Sequence, residues 1–321
     1  MSHTNALLQA IGQPRRLPPQ GSWPEATHCM DEPSAHALIA AISANRPLLV
    51  RGEPGVGKSQ LARAAADVLQ RRFISTVIQP NSEYEELLWL VDHTQRLADA
   101  QLVAHTGDDG KLKKTDEYLA PGPLWYALQW DIAEGKSCQN NYQPPAGVKT
   151  SEGKIPCPKA DGVVLLIDEI DKADISLANG LLEVLGNGQF EVRPSRETVS
   201  AGEIKPLVVL TSNDTRQLPA ALVRRCVVLD LELPKDRDEL LMHLQTIGKA
   251  HFPDAEEDAL AEAAQQIVQD RERCDDLPRT GQAEYLDLLR ALQDVTGDEP
   301  EQWSGWLKKL APYFQKSHAH R

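Results

Sequence analysis

The chain has no long hydrophobic run, few cysteines and a deficit of positive charge, and each shortage removes a class of function. Its longest apolar stretches, Val163 to Ile167 and Leu207 to Leu210 among them, are strand-sized, far below the roughly 18 residues that a membrane-crossing helix needs. The five cysteines (Cys29, Cys138, Cys157, Cys226 and Cys274) are an odd number with no CxxC pair, which argues against both a zinc knuckle and a disulfide framework. Lys and Arg total 34 against 47 Asp and Glu, a net charge of -13, so non-specific attraction to nucleic acid or to an anionic membrane is not expected. Lys111, Lys113 and Lys114 form the one short basic cluster, read as a solvated turn. Met1 to Ala10 has neither the basic head nor the apolar stretch of a secretory signal, so a cytoplasmic address is expected. No fixed-period repeat points to a solenoid.

What is present fits a folded protein of about two domains at 321 residues, with 41% hydrophobic and 25% charged residues. Residues 1–30 carry a density of Pro and Gly that predicts an extended N-terminal arm. From Asp31, apolar runs alternate with segments of helical spacing. Strands are predicted at 47–51, 73–78, 163–167, 207–210 and 227–231, and helices near 34–45, 58–69, 83–90 and 175–185. Such alternation implies a parallel sheet covered on both faces. Beyond Pro234 only helical spacing remains, as in Leu240, Leu241, Leu244 and Ile247. The expected layout is therefore a core over 31–233, with an insert at 92–161, and a helical domain over 234–321. Trp125, Tyr126 and Trp130 are candidates for a docking surface, but their helical spacing favours core residues.

Gly52-Glu53-Pro54-Gly55-Val56-Gly57-Lys58-Ser59 fits G-x-x-x-x-G-K-[ST] between a strand and a helix. Glycines let successive backbone N–H groups turn inward on phosphate oxygens, and the helix N-terminus adds the positive end of its dipole. Lys58 would reach the β- and γ-phosphates of ATP, and the Ser59 hydroxyl would coordinate Mg²⁺. Gln60 follows in the same nucleotide-binding stretch. The strand at 163–167 runs into Asp168 and Glu169, where Asp168 can hold the metal through water and Glu169 can polarise the water that attacks the γ-phosphate. Asn213 closes the next strand and can orient that water. Arg224 and Arg225 follow, either as a surface ion pair or as a cation inserted beside a neighbouring subunit's γ-phosphate.

In this order, glycine loop, Asp-Glu strand, Asn strand, paired arginine and helical lid resemble the AAA+ ATPases. The phrases Pro121-Gly122-Pro123-Leu124-Trp125-Tyr126-Ala127-Leu128, Leu166-Ile167-Asp168-Glu169-Ile170-Asp171-Lys172-Ala173-Asp174 and Ala221-Leu222-Val223-Arg224-Arg225-Cys226 resemble the MoxR-like members of the dynein-related branch. The resemblance covers about Asp31 to Leu292. It implies an α/β nucleotide-binding core with a parallel five-stranded sheet, a small all-helical lid, a hexameric ring with ATP between subunits, and remodelling or chaperone work on a protein client. A separate partner bearing a von Willebrand factor A domain is also implied; this chain contains no such domain.

Carried over residue by residue, the resemblance puts Lys58 and Ser59 on phosphate and Mg²⁺, and makes Asp168 the metal-side acid and Glu169 the water activator. Asn213 becomes the first sensor, Arg224 or Arg225 the finger acting across the interface, and Arg279 the second sensor before the Gln282 to Leu292 helix. Family members carry an acidic residue where this chain has Arg224, so the resemblance leaves the choice of finger open. Residues 188–205, with Phe190 and Val192, and the 92–161 insert are candidate client-gripping elements. The alternative from another class is a nucleic-acid-directed motor of the restriction type, which nucleotide preference would separate because such motors favour GTP. A third reading is an interaction protein that uses ATP only to hold a ring together.

Overall fold

In the computed structural model the described residues are 3–106, 114–140, 144–145, 162–273, 279–297 and 303–316. A five-stranded parallel sheet organises the core. Its members are β3 (Leu48–Arg51), β4 (Arg72–Val77), β7 (Val163–Asp168), β10 (Leu207–Ser212) and β11 (Val227–Asp230), in the spatial order β11-β3-β10-β7-β4. All four pairings are parallel. The three inner strands, LLVR, VVLLID and LVVLTS, are apolar on both faces because both faces are covered.

Successive residues of each strand go to opposite sides. Leu49, Leu165, Ile167, Val208 and Leu210 join one apolar cluster, and Leu48, Val50, Val164, Leu166, Leu207 and Val209 join the other. Each such fully buried aliphatic side chain contributes about 1.5–3 kcal/mol. The second cluster is closed by α2 (Glu32–Ala44) and α3 (Lys58–Val68). Asp31 caps α2 by accepting from the Ser34 amide at 3.0 Å. The first cluster is closed by α8 (Ile175–Asn187), capped by Asp174, and by α6 (Pro123–Leu128). Trp125, Tyr126 and Trp130 are buried there, as their spacing predicts.

The N-terminal segment departs from the expected extended arm. It contains α1 (His3–Gln9) and an antiparallel pair, β1 (Pro14–Leu17) with β2 (Ala26–Cys29), and it buries Leu7, Leu17 and Met30 in the core. Prolines between the strands block a regular ladder, and their carbonyls are claimed from the core instead. The buried Arg63 guanidinium donates to Pro18 O at 2.8 Å and to Pro24 O at 3.1 Å. Trp23 donates to the Ser75 hydroxyl at 2.8 Å.

The 92–161 insert is likewise not a separate excursion. The helix expected over 83–90 stops early, as α4 (Tyr84–Leu88), and Trp89 begins β5 (Trp89–Val91), which pairs antiparallel with β6 (Leu119–Pro121). Between them α5 (His93–Thr106) is almost wholly exposed, and after them α6 and α7 (Trp130–Asn140) rejoin the core. The rest of the insert, 107–113 with Lys111 and Lys113 of the short basic cluster, 141–143 and 146–161, lies outside the described residues. Within 188–205 the pair β8 (Gln189–Val192) and β9 (Glu197–Ser200) forms a hairpin, and Phe190 and Val192 are buried. Phe190 stacks on Trp89 and meets the edge of Trp125, with centroids 5.9 and 6.1 Å away. Their apolar surface is spent on the core, so within the candidate gripping segment 188–205 these two side chains do not face outward.

After α9 (Ala220–Arg225) and β11, the chain is helical: α10 (Arg237–His251), α11 (Glu257–Arg273), α12 (Gln282–Thr296) and α13 (Trp303–Phe314). They share an apolar cluster around Leu244, Ile267, Tyr285 and Leu289, which Trp303 and Leu307 of α13 complete. No helix among the described residues is long and apolar enough to cross a membrane.

Candidate functional site

The carboxyl ends of β3, β7 and β10 face one crevice, the usual ligand position of a parallel sheet. The glycine loop leaves β3 there. Gly52 has φ 152°, and a Cβ would lie 2.2 Å from the Leu231 carbonyl oxygen. Gly55 has φ 82°, and its Cβ would lie 2.6 Å from the Cβ of Ala283 in α12. Both positions admit only glycine. Gly57 precedes α3 with no side-chain cap, which points the helix's first amides into the loop.

Lys58 is 6% exposed, and its Nζ donates to the carbonyl oxygens of Gly52 at 2.7 Å and Glu53 at 2.8 Å. Burial pushes its ammonium below the ordinary lysine value, opposed by the carboxylates of Asp168, Asp171, Asp214 and Glu169. Ser59 Oγ lies 3.0 Å from both oxygens of Asp168, and the Thr211 hydroxyl also donates to Asp168. The same Thr211 oxygen accepts from the Glu169 amide at 3.0 Å, which ties β10 to the end of β7.

Glu169 has φ 59°, a left-handed conformation rare for a residue with a Cβ and of the kind concentrated at functional sites. Its Oε2 accepts from Lys172 Nζ at 2.6 Å and its Oε1 from Asn213 Nδ2 at 3.4 Å. That contact with Glu169 lifts the Lys172 ammonium above its ordinary value. Asp171, 2% exposed, accepts from the amides of Asn213 (3.3 Å) and Thr215 (3.2 Å) and from the Thr215 hydroxyl. Burial alone would raise its carboxyl, but these hydrogen bonds outweigh burial and hold it below the usual range. Asp171 thus anchors the turn that carries Asn213, a part the motif reading did not assign.

Ser59 and Asp168 offer a hydroxyl and a carboxylate, hard oxygen donors converging on one point. That set fits Mg²⁺, which takes one or two protein oxygens and completes its shell with phosphate and water.

Between core and helical domain opens a cleft of about 520 Å³, lined by Gly52, Glu53 and Asn213 on one side and by Arg237, Arg271 and Arg279 on the other. Arg279 is thus placed facing the glycine loop's cleft. Gln60 is not among the lining residues, and its Oε1 accepts from Arg63 Nη1 at 3.1 Å. Arg224 and Arg225 end α9, both exposed, and neither is among the residues lining the cleft. Arg271 escaped the sequence reading, because an arginine in the last turn of an amphipathic helix carries no local signal of what it faces.

A family model described as AAA domain, dynein-related subfamily, matches residues 47–226. No curated protein matches the chain. Among solved structures, one point variant of RuvB from Thermotoga maritima is 16% identical, with 87% of this chain and 68% of that chain covered and a TM-score of 0.46. A second variant of it is 17% identical, with 86% and 67% covered and a TM-score of 0.43. A candidate ATPase from Cytophaga hutchinsonii is 12% identical, with 96% and 83% covered and a TM-score of 0.41.

Proposed function

The chain belongs to the dynein-related subfamily of AAA domains, which spans its residues 47–226, and on that premise we propose that it is an ATP-hydrolysing remodelling motor of the MoxR-like type, working as a ring of about six copies on a protein client. The observation that carries this reading is the meeting of Ser59, Asp168, Thr211, Glu169 and Asn213 in one hydrogen-bonded group at the carboxyl ends of adjacent strands, beside the glycine loop.

In this mechanism Lys58 leaves the carbonyls of Gly52 and Glu53 for the phosphates of ATP. Ser59 and Asp168 would hold Mg²⁺, which neutralises charge on the phosphates. The Glu169 carboxylate takes a proton from the attacking water, and the Asn213 amide keeps that carboxylate oriented. Arg279 faces the cleft from the helical domain as the second sensor. One of Arg224 and Arg225, both exposed at the end of α9, takes the finger role in the neighbouring subunit's site. Loss of the γ-phosphate then changes the contact between subunits and moves the client. A partner with a von Willebrand factor A domain belongs to this proposal, as does a cytoplasmic location.

The test is mass by light scattering, with and without a slowly hydrolysed ATP analogue, alongside ATP and GTP turnover on the same samples. An ATP-dependent ring with ATP preference supports the proposal. GTP preference would favour the nucleic-acid motor, and a monomer that turns over neither nucleotide would overturn both.

A further inference from the structure

Four basic side chains of the helical side line the cleft: Lys235, Arg237, Arg271 and Arg279. Lys235 pairs with Glu232 and Arg237 with Glu272, in exposed contacts whose carboxylates also line the cleft. Arg271 differs in burial and in partner. It is 14% exposed, donates from Nη2 to Glu53 Oε2 at 2.7 Å and from Nη1 to the Thr280 carbonyl at 3.0 Å. Glu53 is the second residue of the glycine loop, and its own backbone carbonyl accepts from Lys58 at 2.8 Å. One residue therefore holds two cations, the loop lysine through its carbonyl and the helical-domain arginine through its carboxylate. Around this point loop and helical domain are in direct contact, since Val56 packs into the helical cluster and Gly55 lies against Ala283.

A carboxylate lining a phosphate cleft repels the ligand that the cleft is built for. Here the ion pair cancels that charge only while Arg271 stays with Glu53. A guanidinium binds phosphate in the same forked geometry as carboxylate, so an entering polyphosphate competes with Glu53 for Arg271. Glu53 is 33% exposed and can turn to water when it loses, whereas phosphates enclosed by the loop cannot. We infer that Arg271 is a shared cation, held ready by Glu53 at the cleft and taken over by the phosphates of an entering nucleoside triphosphate. Arg271 is then a ligand-binding side chain, and Glu53 is the positioning residue that presets it and sets the affinity. The inference rests on the nucleotide reading proposed above.

The test is the dissociation constant of a fluorescent, slowly hydrolysed ATP analogue for the full chain and for Arg271→Gln, Arg271→Lys, Glu53→Gln and the Arg271→Gln/Glu53→Gln double variant, with Lys58→Ala as reference. Arg271→Gln should weaken binding about tenfold, the loss of one charge-assisted contact, and Arg271→Lys should recover part of it. Glu53→Gln should tighten binding about threefold by removing the competitor, and that gain should shrink in the double variant because there is no arginine left to compete for. Opposite signs and non-additivity are the signature, since a purely structural clasp weakens binding whichever partner is cut. Weakening by Glu53→Gln as large as by Arg271→Gln, or unchanged affinity in Arg271→Gln with its melting temperature intact, overturns the inference. If the wild-type chain fails to bind, or Lys58→Ala binds as well as wild type, the nucleotide reading itself fails instead.

Discussion

The Ser59 hydroxyl sits 3.0 Å from each carboxylate oxygen of Asp168, joining the first turn of α3 to the end of β7 across 109 residues of chain. A hydroxyl and a carboxylate held together in this way suit a small divalent cation. Ser59→Ala should therefore weaken nucleotide binding about tenfold in Mg²⁺ and much less in EDTA. Titrating nucleotide under both conditions checks it; equal losses would show that Ser59 acts on something other than the metal.

Glu169 is turned toward Asn213 and Lys172 from a left-handed backbone. Glu169→Gln keeps the shape and removes the base, so hydrolysis should fall by about 10²–10⁴-fold while nucleotide stays bound. Turnover at the wild-type rate would mean that another group activates the water.

Arg224 and Arg225 are both exposed at the end of α9. Alanine at the finger position should cost about 10³-fold or more in turnover, and alanine at the other position far less. Mixing each variant with Lys58→Ala protein should partly restore activity only for the residue that acts across an interface. No rescue in either mixture would contradict a role in trans.

His28 in β2 packs against α10, where His251 hydrogen-bonds the Thr27 backbone. Burial, reinforced by His251 and opposed by Asp31, pushes the His28 imidazole down to about 4. The unfolded chain, with an ordinary value near 6.5, binds the proton first. Stability is thus complete above about pH 6.5 and declines as pH falls toward 4, by as much as about 3 kcal/mol. Denaturant melts at pH 7.5 and 5.5 should show the wild type losing more than His28→Gln; identical losses would place the pH sensitivity elsewhere.

The glycine loop, Asp168, Glu169 and Asn213 were legible in the sequence because each depends on a local rule. An apolar strand delivers its last residue to the end of the sheet, and the glycine pattern fits a tight turn with positive φ. The N-terminal arm was misread because proline density reports the loss of backbone donors but not that Arg63 collects the free carbonyls. Phe190 was misjudged for a related reason. What lies against Phe190, namely Trp89 and Trp125, comes from distant parts of the chain.

By itself the sequence determined which side chains stand at strand ends and helix starts, since periodicity, capping and glycine geometry act within a few residues. Only the tertiary structure decided which of those ends meet. The order β11-β3-β10-β7-β4 places β10 between β3 and β7, so Thr211 can bind Asp168 and Asn213 can reach Glu169. The packing of the helical domain, meanwhile, brings Arg271 to Glu53 across 218 residues. Such contacts depend on apolar burial summed over whole faces, a quantity that no single stretch of sequence contains.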